Sequence, residues 1–563
     1  MPDLAKSSYD FHCGLESPLV FLRREWRAVA VFGGGFCLLM VAAVFWLDPA
    51  FFYPRLSTDP LYYYMKAKSL VETGNTTARL AVNAHPFTYA AMPGVLRAPI
   101  LLLFSEFDTQ WRAMQLMNIP ISAGIAVMSA YILSWTQPQS RHWMTIAFAF
   151  AFSGLSPVWM ANIFFPLADA LYAAFTLVAV LISIHIMCSP IPIRRARWWW
   201  SLYLIIFVIS FFLRFTAPVL LVFAAVLARG RWHGRTLSPG LKRWLVIGPV
   251  LVTALLVALN FQVIFGRYLR EPLIFLIAGD KPGMLLNLFG LAAPDQIIPD
   301  FHLGFSIPPI VDIYYSEFAH TRSDAIWTMV GFAISAIAIR GIWVSRGRFL
   351  PEILYFLAPI VVLTLMLPST SRYLMSYQPF LWVFFYEGAA DVVRRFMPSF
   401  ATRRRSRLVA GFGALVVVGV VGGLRWFRIA GTGAARTYAV TLTQAPRYVS
   451  EVTRSFRSLR NYIETLPKDK TLLVASYGST GRWKAIADRS YYVPDSALVS
   501  VSAKKEVYLI VECGTLEYCQ SFPEWKNRMQ EDLCNYGEFT YESVFAVQSN
   551  SARAEVFRVK PAI

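Results

Sequence analysis

Apolar runs long enough to cross a membrane recur along the chain, and short basic loops separate them. The first four such runs cover residues 28–47, 113–135, 143–161 and 166–188. A helix needs about 20 predominantly apolar residues to span the hydrocarbon of a bilayer. Because no water is available there, the backbone amides of each run must be bonded within the segment itself. The sequence therefore predicts a polytopic α-helical membrane protein.

Hydropathy indicates about eleven transmembrane helices in all. The long apolar stretch 198–228 contains Arg214, and we interpret it as two short spans whose turn places this arginine at the outer face. The remaining predicted spans cover residues 244–265, 325–343, 351–367, 374–390 and 408–424. Composition agrees with this interpretation, because 15% of the residues are charged, whereas soluble domains carry roughly 25%.

A formal net charge of +19 raises the question of nucleic-acid binding. The basic residues, however, cluster in short loops between apolar runs, which is typical of the cytoplasmic loops of membrane proteins. Two such loops contain residues 194–197 and 403–405. We therefore predict contact with the lipid bilayer and its anionic headgroups, and no nucleic-acid partner.

The strongly basic short loops all fall on one side of the predicted topology, and this side is the cytoplasm by the positive-inside rule. Residues 1–27 form a cytoplasmic N-terminus that carries Arg23, Arg24 and Arg27. The first apolar run lacks the pattern of a cleavable signal and is interpreted as an uncleaved first helix. The transmembrane domain covers residues 28–428, with a first outer loop at 48–112 and a long outer loop at 266–323.

The composition changes after Arg425, and residues 429–563 are predicted to form a small extracytoplasmic α/β domain. A helix is expected at 456–466, and strands are expected at 471–475, 506–511 and within 539–559. Residues 523–534 also have helical character. Cysteines at positions 513, 519 and 534 allow one disulfide and one leftover thiol in an oxidising compartment, with the pairing open. The six cysteines show no metal-binding spacing, so no metal site is predicted.

The first outer loop opens with Asp59 at the start of a helix signal. Pro60 suits the first helical position, where a missing N–H costs nothing, and Gly74 suits the end. His85 follows in a loop, next to a proline. Arg97 lies in a short apolar segment between two prolines, which favours an interfacial or re-entrant helix over a full span. Asp59 is either a helix cap alone or a cap that also performs chemistry.

Seven polar residues are predicted to gather at the outer membrane face: Asp59, His85, Arg97, Asp169, Arg214, Arg372 and Tyr373. Ionisable groups at membrane depth are costly, so each is a functional candidate. Structural alternatives stay open. The arginines can extend toward lipid headgroups, Asp169 can cap its own helix or pair with an arginine, and His85 can serve a purely structural hydrogen bond.

Carboxylates and arginines together suit a lipid-linked phosphate substrate. Arginine binds phosphate or diphosphate through two parallel hydrogen bonds and stabilises it as it departs. A carboxylate can accept the proton of an incoming hydroxyl or amine as the sugar C1 is attacked. Since the lipid would approach sideways between helices, the site is expected at the membrane interface.

Several short motifs, in their order along the chain, resemble the GT-C superfamily of membrane glycosyltransferases. The branch concerned contains bacterial relatives of protein mannosyltransferases and lipid A aminoarabinose transferases. The motifs are Ser57-Thr58-Asp59-Pro60-Leu61-Tyr62, Arg112-Ala113-Met114-Gln115-Leu116-Met117-Asn118, Pro166-Leu167-Ala168-Asp169-Ala170-Leu171, Leu213-Arg214-Phe215-Thr216-Ala217-Pro218 and Ser371-Arg372-Tyr373-Leu374. Two features depart from the family. Asp59 stands alone where many members have an acidic pair, and His85-Pro86-Phe87 replaces a proline-rich motif.

The resemblance implies a glycosyltransferase that moves a sugar from a polyprenyl-phosphate-linked donor to a lipid, glycan or protein acceptor. It implies a bacterial inner-membrane protein whose active site and C-terminal domain face the periplasm. Asp59 would be the general base and Asp169 would support the acceptor. The donor phosphate would be bound by Arg372 and Tyr373, with Arg214, Arg97 and His85 assisting. A divalent cation shared between Asp59 and the donor phosphate is left open.

Two other classes of protein remain as alternatives. A lipid or solute transporter, or a flippase, with a periplasmic accessory domain would also be polytopic. Transporters, however, often contain inverted repeats and place charged groups near the bilayer midplane. The chain shows no such repeat, and its candidate residues gather at one face. The third class is an inactive scaffold whose tail recruits partners.

Overall fold

The computed structural model describes residues 2–51, 53, 58–74, 92–136, 142–155, 162–165, 168–188, 193–214, 217–234, 251, 254, 336–366, 376–396, 446–467, 470–475, 483, 486, 491–492, 506–513, 539–548 and 553–561. The chain divides into two compact units. Unit 1 comprises Met1–Leu38, Pro120–Asn162 and Ala168–Leu424. Unit 2 comprises Leu39–Ile119, Ile163–Leu167 and Arg425–Ile563.

Helices account for most of the described chain. In order they are α1 (Pro2–Cys13), α2 (Pro18–Trp46), α3 (Thr58–Thr73), α4 (Met92–Val95), α5 (Ala98–Leu103), α6 (Phe107–Ser134), α7 (Trp143–Leu155), α8 (Asp169–Cys188), α9 (Ile193–Leu213), α10 (Val219–Gly234), α11 (Ala336–Ser345), α12 (Leu350–Met366), α13 (Gln378–Phe396) and α14 (Pro446–Thr465). A short 3-10 turn, Pro49–Phe51, follows α2.

Three helices in the described part of the chain, α2, α6 and α8, are long and apolar enough to cross a membrane. Shorter apolar segments lie in α4–α5, α9, α10 and α11. The mostly helical architecture that the sequence predicts is therefore confirmed. The count of about eleven spans stays a prediction, because residues 244–265, apart from 251 and 254, and residues 408–424 lie outside the described residues.

The predicted break of the apolar stretch 198–228 at Arg214 is confirmed. Helix α9 ends at Leu213 and α10 begins at Val219. The N–H of Arg214 still donates to the carbonyl of Ser210 at 2.8 Å, so the arginine completes the last turn of α9. Pro218 then directly precedes α10 and cannot continue a helix from α9.

Residues 1–27, predicted to be cytoplasmic, contain a helix that hydropathy did not indicate. Helix α1 contacts α8, α10 and α12 within unit 1. Its last residue, Cys13, forms a disulfide with Cys188 at the end of α8, with a Cα–Cα distance of 4.7 Å. The sequence had suggested a disulfide only among the tail cysteines. Of these, positions 519 and 534 lie outside the described residues.

Unit 2 contains a five-stranded sheet in the tail. Its strands are β1 (Thr471–Ala475), β2 (Tyr491–Tyr492), β3 (Glu506–Cys513), β4 (Phe539–Gln548) and β5 (Arg553–Pro561), in the spatial order β2-β1-β3-β5-β4. Strand β1 pairs in parallel with β2 and β3, whereas β5 pairs antiparallel with β3 and β4. The predicted strands at 471–475 and 506–511 are thus present, and so are the strand pairs within 539–559. The separate extracytoplasmic α/β domain stays a prediction.

Helix α14 packs against this sheet through contacts with β4 and β5. Its apolar side chains Val452, Phe456, Leu459 and Ile463 are fully buried. They recur at three- and four-residue spacing, so they form one stripe along the helix. The predicted helix at 456–466 is therefore confirmed, and it begins at Pro446, nearly three turns earlier than the sequence suggested.

Candidate active site

Helix α3 carries Asp59, the predicted catalytic carboxylate. The helix begins at Thr58, so Asp59 lies inside its first turn and does not precede it as the predicted cap would. The side chain of Asp59 lies outside the described residues. Gly74 ends the helix as predicted, with a φ of 73° and its N–H donating to the carbonyl of Leu70. A residue without a Cβ adopts this left-handed conformation without strain.

Contacts with the first turns of α6 hold α3 in place within unit 2. The hydroxyl of Tyr64 donates to Oε1 of Gln110 at 2.6 Å, and both side chains are buried. The same Tyr64 ring lies edge-on to Phe107, with 5.1 Å between ring centroids. Nε2 of Gln110 donates in turn to the carbonyl of Phe104. Because the polar atoms of the buried Tyr64 and Gln110 side chains are hydrogen-bonded, the contact fixes the rotation of α3.

The short helices α4 and α5 confirm that the segment around Arg97 does not form a full span. Helix α4 lies directly against α3 at Gly94, where an added Cβ would meet the Cβ of Lys66 and the carbonyl of Tyr63, each at 2.9 Å. Arg97 follows α4 and is 0% exposed. Its Nη1 donates to the carbonyl of Pro93 at 3.1 Å. Arg97 is therefore a buried cation between the short helices α4 and α5, and it does not extend into bulk water.

Lys66 is a second buried cation on α3, which sequence reasoning missed. It is 3% exposed, and its Nζ lies 5.0 Å from the centroid of the Tyr62 ring. Burial lowers the pKa of Lys66 to about 8. A lysine in an amphipathic helix usually lies on the solvated face. The sequence signal for its burial was its position directly after the largely aromatic run from Leu61 to Met65. The tight approach of α4 at Gly94 covers it.

Asp169 and Arg214 lie together in unit 1. Asp169 is the first residue of α8 and is 2% exposed. Nη2 of Arg214 donates to its Oδ1 in an ion pair. The N–H of Ala170 donates to Oδ1 of Asn162 at 3.1 Å, so a side chain other than Asp169 caps this amide. Among the alternatives left open by the sequence, the structure supports the buried partner of an arginine.

A group of tyrosines lies one turn beyond this ion pair. The hydroxyl oxygens of Tyr172 and Tyr377 are 3.3 Å apart and buried. The Tyr377 ring also packs on Tyr355, with 4.9 Å between centroids.

The other predicted ligands cannot be placed. His85, Arg372 and Tyr373 lie outside the described residues. The structure thus brings Asp169 and Arg214 together in unit 1. In unit 2 it brings α3, which carries Asp59, against α4, which precedes Arg97. Over the described part of the chain, no three His, Cys, Asp or Glu side chains are grouped as a metal site would require.

No protein-family model matches the chain, and no curated protein matches it in sequence. Solved structures do. ArnT from Cupriavidus metallidurans bound to undecaprenyl phosphate is 13% identical, with a TM-score of 0.49 over 93% of this chain and 98% of that chain. The oligosaccharyltransferase of Archaeoglobus fulgidus tethered with an acceptor peptide is 12% identical, with a TM-score of 0.46 over 97% of this chain and 75% of that chain.

Both TM-scores lie below 0.5 and both identities are below 15%, so no superfamily and no residue role is transferred from these proteins to this chain.

Proposed function

We propose that the chain is a GT-C-type glycosyltransferase that uses a polyprenyl-phosphate-linked sugar. The acceptor would be a lipid, glycan or protein at the outer face of a bacterial inner membrane. The observation that carries the proposal is the buried Asp169–Arg214 pair beside Tyr172 and Tyr377. The pair gives an acid and an arginine at the start of α8, which supports a site for a phosphate-linked substrate.

The proposed reaction is a direct displacement at the sugar C1. Asp59 accepts the proton of the attacking hydroxyl or amine while the bond from C1 to the phosphate oxygen breaks. The electron pair of that bond leaves with the polyprenyl phosphate. Arg372 and Tyr373 stabilise the negative charge on the departing phosphate, with Arg97 and His85 assisting.

Asp169 and Arg214 act as a unit in this proposal. A buried arginine that already pairs with a carboxylate carries less net charge toward a phosphate than an unpaired one. Arg214 would therefore contribute to donor binding together with Asp169, and Asp169 would orient the acceptor. Residues 429–563 would form the periplasmic α/β domain, and residues 1–27 would remain in the cytoplasm.

The deciding experiment is sugar transfer by the Asp59→Asn variant in reconstituted membranes. We expect transfer to fall at least about a hundredfold, because general-base assistance contributes 10²–10⁴-fold. The matched control is Glu72→Gln, which neutralises an exposed acid on the same helix. Glu72 forms an ion pair with Lys68, four residues before it. The control should transfer sugar as the wild type does. Normal transfer by Asp59→Asn would contradict the proposed mechanism.

A further inference from the structure

Helix α14 presents a row of arginines away from its apolar stripe. Its buried stripe faces the sheet, whereas Arg454 and Arg457 are exposed and Arg460 is half-buried. A basic helix face of this kind usually contacts only water. In unit 2, however, two of these three arginines contact the first outer loop and the start of α6.

Arg457 contacts the chain immediately after α2. Its Nη2 donates to both carboxylate oxygens of Asp48, at 2.6 and 2.5 Å. Oδ1 of Asp48 also accepts the N–H of Ala50 at 2.9 Å, which caps the turn Pro49–Phe51. The ion pair therefore fastens α14 to a carboxylate that already shapes the outer loop.

Arg460 contacts the first turn of α6. Its Nη1 lies 3.0 Å from Oδ2 of Asp108 and donates to the hydroxyl oxygen of Tyr53 at 2.6 Å. Tyr53 is 1% exposed, and its own hydroxyl donates to Oδ1 of Asp108 at 2.5 Å. The arginine, the tyrosine and the carboxylate form a closed group of charge-assisted hydrogen bonds.

This group is continuous with the contact that holds α3. Asp108 is adjacent to Phe107 in the first turn of α6. The Phe107 ring packs on Tyr53 at 6.0 Å and on Tyr64 at 5.1 Å between centroids. Tyr64 belongs to α3, little more than one turn after Asp59. A path of direct contacts thus runs from Arg460 on α14 to the helix that carries Asp59.

We propose that Arg457 and Arg460 are positioning residues that hold α3, and with it Asp59, in the geometry for transfer. The C-terminal helix α14 would therefore be part of the catalytic apparatus through the outer loop. This inference rests on the proposed function of Asp59. Because reacting groups displaced by about 1 Å can lose 10²-fold in rate, a small rotation of α3 is enough to reduce turnover.

The test measures transfer and backbone amide exchange of residues 58–73 in the full-length protein. In Arg460→Gln we expect kcat to fall at least about tenfold, with the KM for the donor unchanged within about twofold. Amide exchange in α3 should become faster in the same variant. Arg454→Gln is the matched control, since Arg454 lies on the same helix with no ion pair among those in the described part of the chain. The control should leave transfer and exchange unchanged.

A charge exchange tests the Asp48 contact separately. Arg457→Asp and Asp48→Arg should each lower kcat, and the double variant should recover the part lost with the ion pair, since a specific ion pair alone predicts such rescue. The part that Asp48→Arg loses with the cap on the N–H of Ala50 should not be recovered. Circular dichroism and detergent extraction would verify that each variant folds. If a single variant is misfolded, recovery in the double variant still answers the question.

Three outcomes would overturn the inference: unchanged kcat in Arg460→Gln, lowered kcat with unchanged exchange in α3, or no rescue by the double variant. The first outcome overturns the inference even if exchange in α3 becomes faster, because α14 would then hold α3 without affecting catalysis. Failure of the proposed function is a different result, namely normal transfer by Asp59→Asn. The exchange of residues 58–73 is measured independently of that outcome.

Discussion

Helices α1 and α14 are each held by an ion pair, and the two pairs differ in their exposure to water. In unit 1, α1 is held by His12, whose Nε2 lies 2.6 Å from Oε1 of Glu352 with both side chains 0% exposed. In unit 2, α14 is held by Arg457 with Asp48, whose side chains are 49% and 32% exposed. One pair is removed from water and the other remains in it.

The difference in exposure indicates that the His12–Glu352 pair contributes more to stability than the Arg457–Asp48 pair does. A buried ion pair has already lost its hydration, so removing one partner leaves an uncompensated polar group. Nδ1 of His12 also bonds the carbonyl of Ser8 at 2.6 Å, which satisfies the second ring nitrogen. An exposed pair regains water when it opens and contributes little. We infer that α1 is a fixed part of unit 1, whereas the exposed Arg457–Asp48 contact of α14 favours one arrangement of the chain after α2 at low energy.

The largest expected effect is the loss of stability when the buried His12–Glu352 pair is broken. Glu352→Ala should lower the free energy of unfolding by about 3–5 kcal/mol, because it leaves the buried His12 without its partner. Denaturation by SDS in mixed micelles would measure this. The matched control, Glu16→Ala, removes an acid whose pair with Arg24 is 31% and 39% exposed, and should cost less than about 1 kcal/mol. Equal losses in the two variants would contradict the comparison.

The second prediction concerns pH. Burial alone would lower the pKa of His12, but the charge of Glu352, its hydrogen bond and the carbonyl of Ser8 outweigh burial and raise the pKa above 6.5. A raised histidine pKa contributes stability that is fully present below the unfolded value of 6.5 and is lost as pH rises through the higher folded value. Wild-type stability should therefore decline above pH 6.5.

The measurement is the unfolding midpoint of wild type and His12→Asn across pH 6 to 9, the range in which histidine titrates. His12→Asn should be less stable than the wild type at pH 6, and its stability should not decline as the pH rises above 6.5. A wild-type midpoint that stays constant over this range would refute the assignment. The arginine pairs of α14 do not titrate there, so any remaining slope in the variant comes from other groups.

Local sequence rules were sufficient to predict the end of α3 and the break between α9 and α10. Gly74 was predicted to end α3 because the left-handed conformation favours glycine, and the break at Arg214 followed from a charge inside an apolar stretch that is too long for one span and has basic loops at both ends. Asp169 was left between two structural alternatives, because a carboxylate before an apolar run is compatible with both a cap and an ion pair. Only the three-dimensional position of Arg214 decides between them.

Other features depend on distant partners and have no local signal. Helix α1 is short and only moderately apolar, and it is held by Glu352 and Cys188, which are remote in sequence. Lys66 is buried because α4 approaches at Gly94. Arg457 and Arg460 were not singled out, since arginines on an amphipathic helix are typical of a solvated face. Tertiary contacts give these residues their roles.

The smallest expected effect is on the exposed pair, and a double-mutant cycle measures it. Asp48→Ala alone also removes the cap on the N–H of Ala50, so its single loss overstates the ion pair. The cycle with Arg457→Ala cancels that contribution. We expect a coupling free energy of about 0.3–1 kcal/mol at low salt. It should approach zero near 1 M NaCl, where the Debye length is about 3 Å. A coupling of several kcal/mol that persists in high salt would show that α14 is anchored as firmly as α1, and the contrast between the two junctions would then be wrong.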